Sequence, residues 1–319
     1  MLKLEQLNLG VPLPSLRRDV AVYAMQPPPV EARRASARKL ASQLNLGDLH
    51  EADLDHGSVM ASRRGDVTVF HASGAVIARD ATAATRAPHE RRDWPGLIPP
   101  ERHGAEYSLN GEASQRLVAQ VSTLLRGLEL LGREATDGSV ELEQVSSLDG
   151  KGNVIEAGAG QACVKFSYRV DGLVARGAGA KTMAYVEPSQ LAMVMHAWRP
   201  LSGKAVALKL PRSLEASLAI GLLVDPELET YARAGHSLKV TQLEMVYLAL
   251  PAFVRQSHLF PMWKVQGEVG EGKLGIGFRF ARFHHAATPQ AYAEAGLHAG
   301  YLARNPDAIA PLPAPAVAR

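Results

Sequence analysis

The chain has 319 residues, 46% hydrophobic and 21% charged, with 35 basic against 32 acidic side chains and a formal net charge of +3. That is enough for two or three units with real cores, and the charge is too small and too interleaved to argue for nucleic acid or an acidic membrane surface. One cysteine, Cys163, excludes an intrachain disulfide.

The opening MLKLEQLNLGVPLPSLRRD lacks the apolar core of a secretory signal. No apolar run approaches the ~20 residues of a membrane helix. A soluble, cytoplasmic chain is therefore expected, with no membrane partner. Met1 to Arg18 reads as an irregular arm, and Asp19 to Gln26 as a strand ended by Pro27-Pro28-Pro29. From Val30 to Leu46 the residues Ala37, Leu40, Ala41 and Leu44 make a helical stripe, which Gly47 stops. Asp48 to His56 reads as an acidic loop. Strands follow at Val59–Arg63, Val67–His71 and Ala75–Asp80.

Arg86 to Gly104 is rich in proline and mixed charge, as a linker is. The next helix spans Glu112 to Leu131, where Leu117, Val121, Leu124, Leu125 and Leu128 share a face. Val140 to Ser147 is a strand. Val164 to Pro200 alternates like a twisted antiparallel meander, with turns at Asp171-Gly172 and Glu187-Pro188-Ser189. A third helix starts near Pro211, with a break at Asp225-Pro226 and a short helix over Glu227–Ala234. Strands close the pattern at Leu238–Leu250, Met262–Val269 and Leu274–Phe283, before an irregular proline-rich tail.

A helix followed by about three strands thus recurs three times. The expected fold class is α+β, built of tandem helix-on-antiparallel-sheet units. The boundaries are 1–85, a linker at 86–110, then 111–204, 205–304 and a tail at 305–319.

Tyr247 to Val269, within VYLALPAFVRQSHLFPMWKVQGEV, resembles the closing strands of YycH/YycI-type regulatory proteins. The first unit is similar in element order to a PepSY-type domain, and the units as a set to PepSY/YycI-like or cystatin-like folds. Gly177-Ala178-Gly179-Ala180-Lys181, with Ala197-Trp198-Arg199-Pro200, resembles bacterial proteins carrying GxGAK…WRP. These resemblances imply a non-catalytic role in binding or regulating a partner.

Several motifs touch on chemistry. Gly177 to Thr182 brushes against a phosphate loop, but Ala180 precedes Lys181 and a strand follows where a helix is required. Gly270 to Gly275 satisfies GxGxxG in the same wrong context. His50, Glu51, Asp53, Asp55 and His56 crowd one loop without a metal-site spacing, so no metal is expected. Arg279 to His285 interleaves cations with aromatics, which one buried strand face explains without nucleic acid. Ser36 to Lys39 matches SxxK inside a helix, with no companion motif. Cys163 reads as a buried apolar residue.

The distributed set is richer. Glu187, His196 and Arg199 are the candidate catalytic groups, with His196 and Trp198 two apart and so on one strand face. Tyr185, Trp198, Tyr247, Trp263 and Lys264 are the candidate ligand-binding residues. No cofactor is expected. The leading expectation is a non-catalytic binding or regulatory protein for a protein or small-molecule ligand. The alternative is a cofactor-independent isomerase, cyclase or hydrolase with a pocket on the concave sheets. A third is an oligomeric structural component.

Overall fold

The computed structural model describes residues 2–12, 14, 19–83, 94–100, 106–270 and 277–297. In chain order, β1 (Leu7–Leu9) and β2 (Asp19–Met25) lead into α1 (Val30–Gln43). Next come β3 (His50–Leu54), β4 (Gly57–Ala61), β5 (Gly65–Phe70) and β6 (Val76–Asp80). A short pair, β7 (Leu97–Ile98) and β8 (Ser108–Leu109), precedes α2 (Gly111–Gly127). Then follow β9 (Ser139–Leu148), β10 (Val154–Phe166), β11 (Arg169–Val170), β12 (Leu173–Arg176), β13 (Thr182–Glu187), β14 (Gln190–His196) and β15 (Leu201–Lys209). The last segment holds α3 (Leu214–Leu218), α4 (Pro226–Arg233), β16 (Leu238–Leu248), β17 (His258–Val269), β18 (Phe278–His285) and α5 (Pro289–Glu294).

Three helix-backed α+β units do not form. The described chain is mostly β, in two eight-stranded sheets. The first sheet is antiparallel throughout, in the order β3-β4-β5-β6-β14-β13-β10-β9. Its middle is the β6–β14 ladder, Val76↔His196 to Arg79↔Met193. That ladder fuses strands expected in separate units into one surface. α1 and α2 both lie on this sheet, burying Leu40 and Leu44, and Leu117, Val121 and Leu125, against Met60, Val69, Val164 and Val194. The sequence stripe assigned those helical faces, but each helix lacks a sheet of its own.

The second sheet is mixed. Its path is β11-β12-β16-β17-β2-β15, with β1 parallel to β16 and β18 beside β17. β2 comes from the first expected unit and β15 from the end of the central one, so neither segment is self-contained. The third helix shrinks to α3, and Asp225 caps α4 by accepting from Glu227 N and Leu228 N at 3.0 and 3.1 Å. With such short helices, the apolar face here is covered by side chains from several elements, among them Leu222, Leu228, Phe280 and Tyr292.

Other expectations need correction. Part of the arm pairs as β1. The acidic loop contains β3, hydrogen-bonded to β4 from His50↔Ala61 to Leu54↔Gly57. Tyr247 to Val269 does form paired strands, with Met245↔Trp263 and Tyr247↔Pro261 in register. The Val164–Pro200 meander is divided between the sheets. β13 and β14 belong to the antiparallel sheet, β11 and β12 to the mixed one. Residues 84–93 and 101–105 of the expected linker, 271–276 of the GxGxxG motif, and the tail lie outside the described residues. No helix among the described residues is long and apolar enough to cross a membrane.

Candidate functional site

The chain passes between the two sheets from β10 to β11, from β12 to β13 and from β14 to β15. Those crossings bring Tyr168, Thr182, His196, Trp198 and Arg199 to one buried junction. Tyr168 Oη and Thr182 Oγ1 are 2.6 Å apart, and Thr182 Oγ1 lies 2.8 Å from His196 Nδ1. The Trp198 indole stacks on Tyr168, with ring centroids 4.2 Å apart and planes 8° from parallel. Burial drives the His196 imidazole down to about 3, the Arg33 charge adds to that, and the Trp198 backbone opposes it. Burial likewise raises the Tyr168 phenol.

Arg33 is buried in α1. It donates to the Glu129 carbonyl at 3.1 Å, and burial lowers its pKa. Arg33 Nε, His196 Nε2 and Trp198 Nε1 have no hydrogen-bond partner among the described residues. Each of these atoms is sealed from solvent.

Arg199 is the organising residue of that junction. Its Nη1 donates to Leu250 O at 2.8 Å, and its Nη2 to Pro251 O and Val254 O at 2.8 and 2.5 Å. It thereby clamps the connection between β16 and β17. Gly179 passes directly beneath: a Cβ there would strike the Leu250 carbonyl and come within 3.0 Å of Arg199 Nη1. This gives the GxGAK…WRP residues a packing role.

The other named residues are dispersed. Glu187 and His196 lie at opposite ends of the β13–β14 hairpin, in the pairs Glu187↔Gln190 and Thr182↔His196. At 3.3 Å per residue that separates them by about 17 Å, too far for an acid–base pair on one bond. Trp263 Nε1 donates to Ser217 Oγ at 2.7 Å, and Tyr247 Oη to Ala21 O at 2.7 Å, both as core contacts. Lys264 pairs with Glu244 at 3.3 Å. Tyr185 faces Cys163 across the β10–β13 ladder, and burial with the Cys163 contact pushes it up to about 12. Burial also raises the Cys163 thiol, the opposite of nucleophile activation. His196 and Trp198 do not share a strand face, because β14 ends at His196.

Of the eight named residues, Glu187 alone borders a described cleft. That cleft, about 370 Å³, lies between α2 and the β13–β14 turn. Glu187 is buried there and accepts from Gln161 Nε2 at 3.2 Å and Gln190 Nε2 at 3.3 Å. A second cleft, about 590 Å³, is lined by Leu46, Asp48, His50 and the β4–β5 turn. A third, about 570 Å³, runs between α2 and the start of β9.

Sequence reasoning missed two further features. Ser58 Oγ lies 2.8 Å from His71 Nε2, 2.7 Å from Asp53 Oδ1 and 2.7 Å from Arg34 Nη2. A serine has one proton to donate, and here it goes to Asp53, so His71 does not receive it. The arrangement is a clasp tying α1 to the β3–β4 hairpin, not an activated nucleophile. Arg34 also pairs with Asp53, and Arg38 with Glu51 at 2.7 Å, so the crowded carboxylates are engaged by α1. No local motif signals this, because Arg34 and Ser58 are 24 residues apart.

The other feature is the free end of the β9–β10 hairpin. Asp149 Oδ1 accepts from Lys151 N and Asn153 N, and Oδ2 from Asn153 Nδ2, each at 2.8 Å. Those bonds hold the Asp149 carboxyl below its usual range. They shape a tight end beyond which Leu148, Val154 and Ile155 are 58%, 57% and 70% exposed. Leu148 and Val154 are directly paired, and a register shift at Ile155 places it beside them.

No protein-family model matches the chain, and no curated protein matches it. Among solved structures, the chain is similar to an uncharacterized protein from Eubacterium rectale ATCC 33656. The identity is 10%, over 85% of this chain and 84% of that one, at a TM-score of 0.49.

Proposed function

We propose that the protein is a non-catalytic binding or regulatory protein that engages a protein partner through the free end of the β9–β10 hairpin. The observation that carries this reading is the contiguous exposure of Leu148, Val154 and Ile155. Single exposed apolar residues are ordinary. Three large ones on adjoining positions of one projecting hairpin are of the kind buried in partner contacts. The resemblance of Tyr247–Val269 to regulatory proteins supports the same reading. So does the enclosure of His196, Trp198 and Arg199, which leaves the strongest aromatic and cationic set to hold the sheets together.

The test compares the native chain with a Leu148→Ser, Val154→Thr, Ile155→Thr variant, each used as bait in an extract of the source organism. The variant should melt within about 1 kcal/mol of the native chain, because the altered side chains are mainly exposed. A stoichiometric partner held by the native hairpin and lost by the variant is the expected result. Retention of the same proteins by both baits, or of none by the native chain, overturns the reading.

A further inference from the structure

Arg33 lies on the buried face of α1 with Ala37 and Leu40, and is 2% exposed. A guanidinium keeps its charge at any ordinary pH. Nη1 donates to the Glu129 carbonyl, but Arg33 makes no ion pair among the described residues. The Glu129 carboxylate attracts it only from farther off, on an exposed side chain. A buried cation without a close counter-charge is costly.

The β5–β6 turn packs against this group: a Cβ on Gly74 would lie 3.6 Å from Arg33 Nε. Two residues on, Val76 pairs directly with His196. The Arg33 charge accordingly acts on both the His196 ring and the Tyr168 phenol. Trp198 stacks on the ring of that phenol. Arg33, His196 and Trp198 thus belong to one buried cluster, drawn from α1, β14 and the segment after β14.

The protons in this cluster can be placed. Tyr168 Oη has Thr182 Oγ1 as its one hydrogen-bond partner among the described residues, and burial keeps the phenol protonated. Tyr168 therefore donates to Thr182, and Thr182 spends its own proton on His196 Nδ1. A neutral imidazole that accepts at Nδ1 carries its proton on Nε2. His196 Nε2, Arg33 Nε and Trp198 Nε1 are then three buried N–H donors, none with an acceptor among the described residues. A water accepts two such bonds, must place two protons of its own, and adds no charge. None of the three residues lines a described cleft, which favours a one-atom ion over a larger oxyanion.

We propose that Arg33, His196 and Trp198 hold a small monoatomic anion, chloride, at the buried junction between the two sheets. The ion supplies the counter-charge of Arg33 and accepts from the N–H groups of His196 and Trp198. This site does not rest on the function proposed above.

The test compares urea midpoints of the full chain in sodium chloride and in sodium gluconate, whose anion is too large to enter, at matched ionic strength. The midpoint should rise with chloride and level off as the site fills, and stay flat in gluconate. Trp198→Phe keeps a ring against Tyr168 and removes one donor, so it should weaken chloride about tenfold. Arg33→Met should abolish the chloride dependence; where it does not fold, Trp198→Phe decides. Crystals grown in bromide should show an anomalous peak within hydrogen-bond reach of Arg33 Nε and Trp198 Nε1. The proposal is overturned if the two salts give equal midpoints, or if Trp198→Phe or a folded Arg33→Met responds to chloride like the native chain. A water at the cluster, or bromide beside surface cations alone, an adventitious ion only, overturns it too.

Discussion

Arg199→Met should lower the free energy of unfolding by about 3–5 kcal/mol in urea titrations, at unchanged dependence on denaturant. The guanidinium is buried and makes three bonds to the carbonyls of Leu250, Pro251 and Val254. Methionine fills similar space but leaves those carbonyls without this donor. Each charged hydrogen bond contributes about 1.5–3 kcal/mol, and the contributions of one network do not simply add. Arg199→Lys should fall between, since an ammonium on a flexible stem cannot reproduce the planar fork. Gly179→Ala should also destabilise, because its methyl would collide with the Leu250 carbonyl beneath the clamp. Losses below about 1 kcal/mol for both Arg199 variants would show that the clamp does not hold the β16–β17 connection.

The second large effect is on acid stability. The His196 imidazole has a folded value of about 3, against an ordinary value of 6.5, chiefly through burial. The folded protein therefore keeps the ring neutral, while the unfolded chain takes up a proton. Stability from this group is fully present above about pH 6.5 and is lost as the pH falls toward 3. Between about pH 6 and 4 the loss approaches 1.4 kcal/mol per pH unit for one histidine. His285, lowered to about 4 by burial and by the neighbouring His284, acts in the same direction. The check is a set of urea midpoints from pH 7 to 4.5 for the native chain and for His196→Asn, whose side chain can still bond Thr182. The variant should be less stable at pH 7 and show a slope shallower by about one proton. Parallel slopes would mean that His196 reaches solvent without unfolding.

The amphipathic stripes of α1 and α2 and the turn at Asp171-Gly172 were legible in the residues themselves. Local periodicity and backbone preference specify them: Asp171 and Gly172 both take positive φ, 46° and 76°. Their partners were not legible. Val76 and His196, 120 residues apart, meet in the ladder that makes one sheet of two segments, and nothing in either stretch names the other. The element order also concealed the crossings, since a two-residue strand such as β11 has too little periodicity to announce a change of sheet. The same limit applied to function. Residue types at His196, Trp198, Arg199 and Trp263 suggested a pocket, and the fold buries all four. By contrast, Leu148, Val154 and Ile155 look like ordinary strand residues until the hairpin carries them into solvent.

The linear chain determined its helical faces, its turns and most of its strands, because those follow from side-chain spacing within a few residues. Which strands are neighbours, which polar groups are sealed and which apolar ones are bared were decided only in three dimensions. Those properties depend on contacts between residues far apart in the chain, where hydrogen-bond edges and apolar faces are completed by segments that local spacing cannot identify.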